Sequence, residues 1–81
     1  MYLSIGNDMA VRDGSIIGIF DLDNTSTSRR TREFLDRAER EGRVTPCDEL
    51  PKSFVLTREY GFDRVHLTAL GSRALERRLE K

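Results

Sequence analysis

The chain is predicted to fold as one small α+β domain over residues 1–81, a mostly antiparallel sheet with one central amphipathic helix and a C-terminal helix. Three observations predict this. Short alternating stretches open the chain in "MYLSIG" and "DMAVR". A β-branched run, "SIIGIF", precedes a segment whose apolar residues recur at helical spacing. Two further β-rich segments, "SFVLT" and "RVHLTAL", flank a glycine turn and lead into the helical tail "LGSRALERRLEK".

In the first strand Leu3 and Ile5 share one side, opposite Tyr2, Ser4 and Gly6. "DMAVR" is a weaker second strand, and the Asp13-Gly14 pair after it is a hairpin signal that would pair it with "SIIGIF". In that third strand Ile16, Ile17, Ile19 and Phe20 place apolar side chains on both faces, the mark of a strand covered from two sides. One cover can be the chain's own central helix. For the other, a partner subunit is expected, the alternative being the C-terminal helix or a local curl of the sheet.

The central helix is expected over residues 29–42, with N-cap candidates from Thr25 to Ser28 and Gly42 as the C′ residue. Its narrow stripe is Phe34, Leu35 and Ala38, edged by Thr31, and Glu33–Arg37, Asp36–Arg40 and Arg37–Glu41 are spaced for exposed ion pairs. "TPCDELPK" is too rich in proline and acid for regular structure. Val65 and Leu67 are expected to face inward, which turns His66 outward as a surface or interface side chain. Tyr60 and Phe62, beside Gly61, read best as an intersubunit contact, although such rings can also stack on a base. The tail helix carries Leu70, Ala74, Leu75 and Leu79.

Composition limits the function. Cys47 is the only cysteine and His66 the only histidine, so neither an internal disulfide nor an ordinary zinc cluster is available and no cofactor is expected. A chain this short has a small core, which again favours homo-oligomerisation. No long apolar run is present, and the protein is expected to be soluble and cytoplasmic, without a membrane partner. Fourteen basic residues balance fourteen acidic ones. The distribution is uneven: residues 1–24 hold one arginine against four aspartates, whereas residues 25–43 hold six arginines against four acids. A nucleic-acid surface must therefore come from local clustering.

"FDLDNT" resembles the nucleophile motif of haloacid-dehalogenase-type phosphatases, with Asp21 and Asp23 as the paired acids. That chemistry needs Mg²⁺ ligands and a cation at the ends of later parallel strands, and this chain is too short to supply them. Asp21 and Asp23 are better explained as strand-end and helix-start residues, and no catalytic residue is expected. Arg29, Arg30 and Arg32 then stand out, because cations in a first helical turn oppose the macrodipole. They are offset either by nearby carboxylates, of the chain or of a neighbouring subunit, or by phosphates.

Together "YLSIGND", "SIIGIFDLDNTSTSRRTREFLDRAEREGRV", "DELPKSFVLT" and "RVHLT", covering about residues 1–72, resemble the RemA/RemB family of extracellular matrix regulatory proteins, and the RemB branch most. The resemblance implies a LytTR-like sheet, assembly into a closed homo-oligomeric ring, and DNA-associated control of biofilm-matrix genes. Two departures stand out. Ser15 occupies a position where RemA-like members carry arginine, and Glu49 and Leu50 replace an arginine pair in the loop 48–52, leaving Lys52 as its basic residue. The candidate DNA contacts are therefore Lys52, then Arg29, Arg30 and Arg32, then Arg12, each with a surface or subunit-bridging charge as its alternative. For Arg12 and Arg32 that alternative is preferred. A second function class is an interaction module that keeps the ring and has lost DNA binding, as the acidic Asp48-Glu49 pair suggests.

Overall fold

The computed structural model describes residues 1–6, 9–22 and 28–79. Asp23 and the N-cap candidates Thr25 to Thr27 lie outside the described residues. Six strands and two α-helices are described in full, in order: β1 (Tyr2–Gly6), β2 (Met9–Arg12), β3 (Ile16–Asp21), α1 (Arg29–Arg40), β4 (Val44–Thr45), β5 (Ser53–Glu59), β6 (Phe62–Thr68) and α2 (Ser72–Leu79). The fold is α+β, as expected, with two mostly antiparallel sheets. β1 and β2 pair antiparallel as a two-stranded sheet, and a four-stranded sheet runs β3-β5-β6-β4. Only β4, which pairs with β6 through Val44 and Thr45, is parallel.

The Asp13-Gly14 hairpin does not form. Asp13–Ser15 is a 3-10 turn, and neither Asp13 nor Gly14 has the positive φ that a type I′ hairpin requires. The turn instead carries the chain from one sheet to the other, so β2 pairs with β1 (Leu3 opposite Val11) and β3 pairs with β5. The type I′ hairpin is found at Tyr60-Gly61, where φ is 53° and 81° and Glu59 pairs directly with Phe62.

Alternation along β5 and β6 divides the core in two. On one face of the four-stranded sheet, Phe54 and Val65 pack with Ala38 of α1, and Phe20, Phe34 and Leu35 close around them. On the other, Val55 packs with Leu3, Ile5 and Val11 of the small sheet and with Leu75 of α2. The chain itself covers part of both faces of β3: Ile16 and Ile19 pack against the Val55–Leu75 cluster and Phe20 against the Ala38 cluster, all three half-buried. Ile17 alone stays 50% exposed, because a bulge between Ile16 and Gly18 leaves it without a register partner on an edge strand.

α1 ends in a Schellman motif. Arg43 N–H donates to the Ala38 carbonyl (2.8 Å) and Gly42 N–H to the Glu39 carbonyl (3.1 Å), with Gly42 at φ 72°. The i,i+4 pair that closes on α1 is Arg29–Glu33, whereas Glu41 turns to Arg43. α2 is held by buried Leu75 and by the Arg78 guanidinium, which donates to the Ser4 carbonyl at 2.8 Å. Ala74, expected in its apolar stripe, is exposed, because the helix presents only one narrow side to β1 and β3. Among the described residues, no helix is long and apolar enough to cross a membrane.

Candidate functional site

The arginines of α1 sit where expected, in the first turn. Ser28 is the N-cap, with its carbonyl accepting Arg32 N–H at 3.0 Å and its hydroxyl making no cap bond. No acid lies in this turn. Arg29 pairs with Glu33 at 3.2 Å in an open setting. Arg30 and Arg32 are exposed and have no carboxylate partner among the described residues. The helix dipole adds positive potential at the same place, so this turn attracts anions.

Lys52 is exposed in side chain and anchored in backbone. Its N–H donates to the Thr68 carbonyl (2.8 Å) and its carbonyl accepts Leu22 N–H (3.0 Å), which ties the ends of β3, β5 and β6 together. Asp48, Glu49 and Leu50 are exposed in the loop before it, and the Cys47 thiol donates to the Glu49 carbonyl at 3.0 Å. Arg12 lies elsewhere. Its guanidinium pairs with Glu59 at 3.8 Å, and the Ser15 hydroxyl donates to the same carboxylate. Lys52 precedes β5 and Glu59 ends it, and seven extended residues span about 20 Å. One protomer thus separates Arg12 from Lys52, and Arg12 is engaged by Glu59 as a surface ion pair.

A second feature was not anticipated. His66 is only 8% exposed, because its side of β6 is roofed by the small sheet rather than open. It forms one wall of a cleft of about 640 Å³ between β2, the β5–β6 hairpin and the end of α1. His66 Nε2 lies 3.2 Å from Thr57 Oγ1, and buried Nδ1 has no hydrogen-bond partner. The Thr57 hydroxyl also lies 3.4 Å from the Arg64 carbonyl, and which of Thr57 and the ring donates in the 3.2 Å contact depends on the imidazole tautomer. Burial, reinforced by Arg64 and opposed by Glu59, holds the imidazole below its usual pKa, in the neutral form. Exposed Tyr2, Tyr60 and Phe62 also line the cleft. Its cations are mostly neutralised: Arg12 by Glu59 and Arg43 by Glu41. Arg64 touches only Thr45 Oγ1, at 3.3 Å, and has no carboxylate partner among the described residues. The sequence signal that could have found this site is the position of His66 opposite Val55 in a central strand, but only the covering hairpin makes that side an interior.

Among the described residues, no group of three or more histidine, cysteine, aspartate or glutamate side chains is placed to hold a metal ion. Asp21 is half-buried at the end of β3. No protein-family model matches the chain, and no curated protein matches it.

Proposed function

We propose that this protein is a ring-forming, DNA-associated transcriptional regulator of the RemA/RemB type, acting in the cytoplasm on biofilm-matrix genes. The observation that carries the DNA contact is the first turn of α1, where exposed Arg30 and Arg32 have no carboxylate partner among the described residues and add to the positive end of the helix dipole. Arg29, in an exposed pair with Glu33, joins them at little cost, and Lys52 is a further exposed cation. Binding is to the phosphate backbone, and sequence preference comes from DNA bending and groove width. Zero net charge makes a single copy a weak binder, whereas a closed ring repeats the same few contacts and multiplies them. Exposed Ile17 on the edge strand β3 and exposed Leu50 favour packing against further copies. The reading assigns the chain no catalytic step.

Exposed Asp48 and Glu49, close in sequence to Lys52, favour a second reading, an oligomeric protein-interaction module of the same fold without direct DNA binding. Gel retardation across a salt series separates the two. The regulator loses affinity steeply as salt rises, with a log–log slope of about −0.9 per phosphate contacted. Arg30→Ala with Arg32→Ala flattens that slope. No retardation at low salt leaves the interaction module. Light scattering tests the assembly: a monomer at all concentrations removes the ring, and Ile17→Asp lowers the mass if β3 is a contact.

A further inference from the structure

A closed ring needs two complementary surfaces on every copy, because a head-to-tail contact can propagate and close whereas a two-fold contact stops at a dimer. The protein presents such a pair at opposite ends of β5. At the hairpin end Tyr60 is 90% exposed and Phe62 76%, and with exposed Tyr2 they surround one cleft. Three large rings around one concavity exceed the single apolar side chains of an ordinary surface. Tyr60 also holds a φ of 53°, which asparagine or glycine adopts far more easily than a bulky residue. The turn thus keeps a ring at a position that disfavours it, and that ring belongs to neither core cluster. At the other end, before Ser53, Leu50 is 86% exposed in the loop 48–51, beside exposed Asp48 and Glu49.

We infer that the loop 48–51 of one copy docks on the hairpin end of the next, Leu50 against Tyr60 and Phe62 and the two acids towards Arg64. The inference rests on the ring and holds for either reading of DNA binding. Charge fits this direction of contact. At the hairpin end Arg12, Arg43 and Arg58 pair with Glu59, Glu41 and Asp63, while exposed Arg64 has no carboxylate partner among the described residues. Asp48 and Glu49 have no cationic partner among the described residues. The loop is already shaped for docking, by the Cys47 thiol bonded to the Glu49 carbonyl and by the Lys52 backbone tied to Thr68 and Leu22, so contact orders little. The seven residues of β5 hold the two surfaces about 20 Å apart, so a copy cannot join its own loop to its own rings. A two-fold contact through the rings would bring two Arg64 guanidinia to one interface and leave Leu50 and both acids in water.

The test is light scattering of the full chain and of two variants, each blocking one surface. Leu50→Asp alters only the loop. Tyr60→Asp removes a ring and places a residue that a positive φ suits. Each variant alone should melt like the natural protein and associate about tenfold more weakly. An equal mixture should form a complex of twice the monomer mass, because one intact loop then meets one intact hairpin end. Arg64→Glu should weaken assembly, and Arg64→Glu combined with Glu49→Arg should restore it; this exchange decides the matter should either blocking substitution unfold the chain. The inference is overturned, with the ring left standing, if the folded variants assemble like the natural protein, if their mixture stays at monomer mass, or if the charge exchange restores nothing. A natural chain that is monomeric at all concentrations overturns the ring and the inference together. Neither outcome depends on duplex-DNA retardation, which Arg30 and Arg32 control.

Discussion

Phe20 lies on Phe54, its cross-strand partner, with ring centroids 4.9 Å apart and planes 20° from parallel. This stack joins the edge strand β3 to β5 and helps close the side of the sheet that α1 covers. It also explains a glycine in an otherwise β-branched strand. A Cβ at Gly18 would stand 2.8 Å from Phe20 Cε2 and 2.9 Å from Cζ, inside contact distance.

Gly18→Ala is therefore expected to destabilise the fold by about 1–3 kcal/mol, because the ring cannot swing aside without leaving Phe54. Strand propensity argues the opposite way, since alanine loses less entropy than glycine by about 0.5–1 kcal/mol. Urea denaturation of Gly18→Ala in the natural and Phe20→Leu backgrounds decides the sign. The loss should largely vanish in the second background, and an equal loss in both would exclude the ring as its cause.

Thr68 joins the two sheets. Its buried hydroxyl donates to the Ile5 carbonyl at 2.6 Å and accepts Leu70 N–H at 3.1 Å. Thr68→Val keeps the shape and leaves both backbone groups unpaired, with an expected cost of about 2–4 kcal/mol. Thr68→Ser keeps both bonds and should cost about 1 kcal/mol, for one lost methyl group. Equal melting temperatures for the two variants would show that the hydroxyl contributes no more than the methyl group to holding β1 to β6.

His66 predicts a pH response of stability. Burial first, then Arg64, lowers its folded pKa below 6.5, and Glu59 opposes them. Its contribution is whole above the unfolded value of 6.5 and declines as pH falls below it, because the unfolded chain takes up a proton that the folded chain refuses. The decline stops once the folded imidazole also titrates. Asp63 acts at lower pH: its hydrogen bond to Arg58 depresses its pKa below 3.8, so its contribution declines as pH falls below 3.8 and is gone once acid passes that depressed value. Melting temperatures between pH 7 and 5 should therefore fall for the natural protein and much less for His66→Gln.

At Gly42 a Cβ meets nothing within 4 Å, so substitution there tests the backbone alone. Gly42→Ala should cost about 1 kcal/mol through the left-handed φ of 72°, and Gly42→Asn less. Thermal melts of the two variants rank them. Equal stability would mean that the Schellman turn contributes nothing to ending α1.

Much of the architecture was legible from residue order. The six-residue β3, the stripe of α1, Gly42 as its stop and the strands around Gly61 all follow from periodicity and turn chemistry acting over a few residues. The short parallel β4 was not, since Val44 and Thr45 carry too little pattern and gain their strand form only by pairing with Val65 and His66. The arginines of the first turn of α1 were legible as such, but nothing local indicated that Arg12 would meet Glu59 while Arg30 and Arg32 have no carboxylate partner among the described residues.

By itself the sequence determined which segments become strands and helices, because side-chain alternation, helical spacing and glycine conformations are properties of neighbours. Tertiary structure alone decided what covers each face. The 3-10 turn at Asp13–Ser15 sends β1 and β2 into a separate layer, and that layer, with α2, packs on half-buried Ile16 and Ile19 and leaves His66 buried. Burial depends on which distant segment arrives above a residue, so an apolar or polar side chain in a strand states a preference that only packing can satisfy.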